Sequence, residues 1–263
     1  MSSKLKLTST QKNTLQQFRN ITSTSEKVAT DFLKKSNWEL DRAVDDYYNS
    51  TNGGLSSVTL SKEMEEAFEK YKQASNNTNE DTINNVTLDG ILELAKDLET
   101  DPESDPLIFV LFYKLGCKSA YNITPDEWKQ GMGGDLKVTK MDQLKKKISQ
   151  VKSDIYNDNQ LFKDFYEYVF DYSLDEGAKT VPPDIAIGQW KLIMKGKYKF
   201  LDAWCEYIEK VFKKAITADT WKLFLDFTKN YATGDYKDYD ADAGAWPVAI
   251  DDFCVWHQEK LKK

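Results

Sequence analysis

Histidine occurs once in the 263 residues, cysteine three times and proline six times, and these scarcities narrow the chemistry available. Cys117, Cys205 and Cys254 stand far apart with no Cys-x-x-Cys pair. That spacing excludes a disulfide framework and a zinc ring, so reduced, mostly buried thiols are expected. No Gly-rich phosphate loop and no nucleophile elbow occurs, and no cofactor is expected. No apolar run approaches the length that crosses a bilayer, and the start Met1-Ser2-Ser3-Lys4-Leu5-Lys6-Leu7 lacks a signal-peptide core. The expectation is an intracellular protein, of cytoplasm and nucleus, with no membrane partner. Positive charge is in deficit: 36 Lys and Arg stand against 43 Asp and Glu, a net charge of -7. Nucleic-acid binding rests on clustered cations, so the balance argues against it and favours a basic protein partner.

What the chain has in quantity is helical pattern. With 40% hydrophobic and 13% aromatic residues it can bury a sizeable core, as one large or two unequal domains. Residues 8–50 read as three short helices. Leu15, Phe18 and Ile21 recur at three-residue spacing; Ser23-Thr24-Ser25-Glu26 offers a capping box ahead of Val28, Ala29, Phe32 and Leu33; Leu40, Ala43, Val44 and Tyr47 follow on one face. Residues 51–60, with Gly53-Gly54 and small polar neighbours, read as a linker. Residues 61–263 form the larger domain. Met64, Phe68 and Tyr71 mark its first helix, and Leu88, Ile91, Leu92, Ala95 and Leu98 the next, across a polar loop from Ser75 to Asn85. Leu107 to Tyr113 is apolar all round, which predicts a central helix. Later helices are expected around Met141 to Ile155, Leu161 to Tyr172, Pro183 to Met194, Phe200 to Phe212, Asp219 to Tyr231, and from Pro247 onward.

An internal echo divides the larger domain. Ile123-Thr124-Pro125-Asp126-Glu127-Trp128-Lys129 and Ile216-Thr217-Ala218-Asp219-Thr220-Trp221-Lys222 each place an apolar residue before a threonine cap and a tryptophan four residues after it. This is hydrophobic-staple spacing. Two helix-loop-helix halves follow, arranged like paired EF-hands. A calcium loop needs glycine at its sixth position and a bidentate Glu at its twelfth. Counting from Asn77, these places hold Thr82 and Leu88; counting from Asp238, Ala243 and Ala249, so neither loop carries the ligand set.

Near the end, the acidic loop Tyr239-Asp240-Ala241-Asp242-Ala243-Gly244 runs through Ala245-Trp246-Pro247 into a helix bearing Asp251 and Asp252. Proline suits the first helical position, and carboxylates near a helix N-terminus are favoured by the macrodipole. Two readings stand: a packing anchor with solvated caps, or a negatively charged docking site. His257 lies three residues after Cys254, with Asp251 one further turn back. Side chains along one helix diverge rather than converge on a substrate atom, so a packed Cys254 thiol is favoured over a nucleophile.

Ala245-Trp246-Pro247 with Ile250-Asp251-Asp252-Phe253, Asp219-Thr220-Trp221 upstream, and Asn37-Trp38-Glu39-Leu40-Asp41 near the start together resemble the defective in cullin neddylation family over nearly the whole chain. The resemblance implies an all-α protein: a small three-helix ubiquitin-associated-like bundle, then a larger potentiating-neddylation domain with two EF-hand-like halves lacking calcium ligands. It implies a scaffold-type ligase component, not itself catalytic, that promotes transfer of the Nedd-type modifier from its conjugating enzyme to a cullin lysine. Asp219, Ala245 and Asp251 match the family's patch for the C-terminal winged-helix region of cullins. Two carboxylates can receive Lys or Arg, and a methyl side chain lets the partner approach closely. Leu88, Ile91, Leu107, Val110, Tyr121, Ile123, Tyr172 and Leu192 match the pocket for the acetylated N-terminus of the conjugating enzyme, and each would serve equally as a plain core residue. Residues 8–50 would take ubiquitin or the modifier, although Arg19-Asn20-Ile21-Thr22 lacks the Met-Gly-Phe/Tyr loop usual in such modules. The alternative function is a ubiquitin-binding adaptor acting through that module alone.

Overall fold

The computed structural model describes residues 8–22, 26–53, 58–233, 236, 239 and 246–262. The chain divides into two compact units, Met1–Thr59 and Leu60–Lys263. In the first, α1 (Ser9–Thr22), α2 (Glu26–Lys35) and α3 (Leu40–Gly53) close on Leu15, Phe18, Ala29, Leu33 and Ala43. Phe18 and Phe32 both meet the Tyr47 ring edge-on, at 5.6 and 5.3 Å, the arrangement that brings a positive ring edge to a negative face. The α1 stripe differs from expectation at its third member: Ile21 is 49% exposed and Thr22 is buried. At about 100° per residue, a step of seven returns to the starting face and a step of six does not. The Thr22 hydroxyl donates to the Phe18 carbonyl at 2.8 Å, so no donor is stranded. Ser23, Thr24 and Ser25 of the expected capping box lie outside the described residues, as does the Val28 side chain. Helix α3 runs on to Gly53, so the expected linker opens with helical residues.

The second unit holds α4 (Lys62–Ala74), α5 (Leu88–Asp97), α6 (Leu107–Leu115), α7 (Pro125–Lys129), α8 (Met141–Asn157), α9 (Asn159–Tyr172), α10 (Pro183–Ile193), α11 (Leu201–Tyr207), α12 (Ala218–Asn230) and α13 (Val248–Leu261). π-helical segments, Gln130–Asp135 and Ile208–Phe212, extend α7 and α11. Seven residues of α6 are buried, from Leu107 through Phe112 and at Leu115, as an all-apolar helix requires. On α5 the buried stripe is Ile91, Leu94 and Ala95, continued by Leu98, while Leu88 and Leu92 face outward. Helices α4 and α5 approach so closely at Gly90 that a Cβ there would lie 2.2 Å from the Tyr71 carbonyl oxygen.

The echo in the sequence is an echo in the fold. Val86 and Ile123 exchange both backbone hydrogen bonds at 2.9 Å, joining the α4–α5 loop to the α6–α7 loop. In the second half, β1 (Thr180–Val181) pairs antiparallel with β2 (Ile216–Thr217), with Val181 opposite Ile216. Each pairing links the loops of two helix-loop-helix units, as in paired EF-hands. Thr124 caps α7 by accepting from the Glu127 N–H, and Thr217 caps α12 by accepting from the Thr220 N–H. Trp128 and Trp221 are fully buried; their indole N–H groups donate to the Met64 carbonyl of α4 and the Tyr166 carbonyl of α9, at 3.0 and 2.9 Å. Trp190 of α10 stacks on Trp221 at 4.8 Å with 13° between planes, and donates its own N–H to the Tyr166 hydroxyl.

Candidate functional site

Asp219 stands exposed in the first turn of α12. Its neighbours Thr220 and Trp221 are buried, so the turn is anchored on one side and presents the carboxylate on the other. Asp251 occupies the first turn of α13, which packs on α12. Pro247 is the N-cap of α13 rather than its first helical residue; its carbonyl accepts from the Ile250 and Asp251 N–H groups at 2.8 and 3.2 Å. Trp246 is half-buried, with its ring edge-on to Phe227 at 5.8 Å, so the tryptophan is a packing anchor. Asp251 is half-buried and accepts a hydrogen bond from the Tyr239 hydroxyl at Oδ1. Ala245 lies outside the described residues.

Asp251 and His257 of α13 meet tyrosines rather than each other. His257 is buried, its ring stacked on Phe253 at 5.2 Å, and its Nδ1 lies 2.7 Å from the Tyr236 hydroxyl. Burial, with a smaller contribution from the Lys260 charge, holds its pKa below the ordinary value. Cys254 is buried, and burial pushes its thiol up to about 12. Such a thiol is protonated at neutral pH and a poor nucleophile. Burial also pushes the Cys205 thiol up to about 12 and raises that of Cys117. Among the described residues no group of three or more His, Cys, Asp or Glu side chains is placed to hold a metal ion, and no helix is long and apolar enough to cross a membrane.

Of the eight expected pocket residues, the structure brings Tyr121 and Tyr172 together at a cavity of about 410 Å³. The Tyr172 hydroxyl accepts the Tyr121 N–H at 2.7 Å and so supports a backbone in the left-handed region, φ 51°. A bulky residue held there is unusual and marks a segment fixed by its surroundings. The remaining wall includes Pro182, Ile185, Gly188 and Gln189, which sequence reasoning missed. The last three share one face of α10 at i, i+3, i+4 spacing, a signal readable only once the helix orientation is known. Leu192 lines a second cavity, of about 540 Å³, which shares Gly188 with the first. Ile91, Leu107, Val110 and Ile123 are buried in the core, and Leu88 is 50% exposed.

Comparison with known proteins is consistent along the chain. A family model described as cullin binding matches residues 143–256, and a UBA-like domain model matches residues 12–54. Curated relatives named "Defective in cullin neddylation protein 1" include one from Yarrowia lipolytica, 26% identical over 90% of this chain and 93% of its own length. That from Caenorhabditis elegans is 27% identical, covering 97% and 92%; that from Saccharomyces cerevisiae is 27% identical, covering 97% and 98%. With part of each unit matched and relatives of one name aligning over most of the chain, the sequence is similar to the defective in cullin neddylation family along nearly its whole length.

Proposed function

We propose that this chain is a scaffold-type component of a cullin-modifying ligase. It acts in cullin neddylation, in keeping with relatives named for that process. The observation that carries the reading is the cullin-binding match over 143–256, whose span contains Asp219, Ala245 and Asp251, the two aspartates lying on helices that pack together. Asp219 and Asp251 receive Lys or Arg side chains of a cullin C-terminal winged-helix region, with Ala245 allowing close approach. The acetylated N-terminus of the conjugating enzyme enters the cavity between Tyr121 and Tyr172, and its following residues pass over Gly188 toward Leu192. Residues 12–54 contribute weak capture of ubiquitin or the modifier.

The chain itself forms no covalent intermediate in this reading; the conjugating enzyme keeps the thioester. Holding thioester and cullin lysine on one body raises their effective concentration and restricts their orientation. The test is the rate at which the modifier appears on a cullin, from a charged conjugating enzyme, with and without this chain. The chain accelerates transfer, and the paired change Asp219→Arg with Asp251→Arg returns the rate to the chain-free value. A folded double variant that still accelerated transfer fully would sink the reading.

A further inference from the structure

Between α12 and α13 the chain carries two tyrosines that reach back to α13. Tyr236 takes the His257 imidazole, deep in the core. Tyr239 takes the Asp251 carboxylate, at the surface where docking is proposed. The Tyr239 ring is clamped edge-on by Phe227 at 6.1 Å and by Tyr231 at 5.3 Å. Its hydroxyl therefore has a fixed place beside the Asp251 carboxylate. Asp219, in contrast, has no side-chain partner among the described residues.

Resting on the docking reading above, we propose that Tyr239 is a positioning residue for the partner's basic side chain. Its hydroxyl holds Oδ1 of Asp251, and the carboxylate is presented in one rotamer, with no partner for Oδ2 among the described residues. An aspartate left to rotate would lose that freedom when a Lys or Arg closes on it, and the cost would appear in the affinity. A charge-assisted hydrogen bond from a clamped phenol removes the cost before the partner arrives. Tyr239 touches no partner itself; it acts through Asp251.

The experiment is a calorimetric titration of the full chain with a cullin C-terminal domain. Tyr239→Phe keeps the ring and deletes the hydroxyl, and it weakens binding about three- to tenfold, the loss expected from one freed side chain. The same change made on Asp251→Ala costs nothing more, whereas on Asp219→Ala it costs the full factor again, because only Asp251 is held. Thermal unfolding of each variant checks that the ring packing is kept. Wild-type affinity in Tyr239→Phe overturns the inference, and so does an equal loss in the Asp251→Ala background, which would mark a general structural role. Failure of the unsubstituted chain to bind is seen before any variant is made, and it would overturn the docking reading itself.

Discussion

His257 is tolerated in the core because it is neutral. Phe200, Phe253 and Trp256 surround its ring, and Nδ1 is engaged by Tyr236. Burial lowers the folded-state pKa below the free value of 6.5, so as pH falls the unfolded chain takes the proton first. The stabilisation is complete above the free pKa and is lost as pH drops below it. The thermal midpoint is therefore expected to fall between about pH 7.5 and pH 5.5, and His257→Gln, which keeps a partner for Tyr236, flattens that dependence. A midpoint equally steep in both proteins would assign the effect elsewhere. Asp97 contributes below this window: burial opposes its charge, but the hydrogen bonds from Lys70 and Tyr71 outweigh it and hold the carboxyl below its ordinary 3.8. The sequence put Cys254, His257 and Asp251 on neighbouring turns of one helix. It could not say that Tyr236 and Tyr239, in a connection without regular pattern, would each claim one of them.

At the scale of the element, Gly188 is the anomaly. It lies inside α10, where glycine costs about 1 kcal/mol relative to alanine. A Cβ there would meet nothing within 4 Å, so the core does not demand glycine. Gly188→Ala is expected to raise stability by about 0.5–1 kcal/mol in denaturant unfolding. The added methyl group also stands on the rim shared by the two cavities, so affinity for an acetylated N-terminal peptide falls as stability rises. Unchanged or lower stability would place a contact at Gly188 that the fold does not show. Elements of this kind were legible where their signals are local. The Ile-Thr-x-x-x-Trp repeat fixed two helix starts because cap, staple and tryptophan lie within one turn. The outward turn of Leu88 and Leu92, the π-helical stretches and the α10 wall of the cavity were not legible, because each depends on which neighbour a helix meets.

The described residues form two cores, one built on Leu15, Phe18, Ala29, Leu33 and Ala43, the other running from Met64 to Cys254. A chain starting at Leu60 is expected to keep the unfolding midpoint of the larger unit within about 2 °C, and to keep most of its acceleration of transfer, losing only the weak capture proposed for residues 12–54. A lower midpoint, or loss of most of the acceleration, would assign residues 8–53 a part in the larger unit's work. Within that unit the rings crowd into the second half: Tyr166, Trp221 and Trp190 form a stack with 4.8 Å steps, and Trp204 lies on Phe224 at 4.2 Å. Two indoles lying face to face at that separation share their excited states. Light absorbed by one is felt by both, and the pair gives an exciton signature in near-ultraviolet circular dichroism that isolated tryptophans lack. Trp221 follows Asp219 by two residues on the same helix, so the chain carries, without any label, an optical reporter set directly beneath the surface where its partner is proposed to dock.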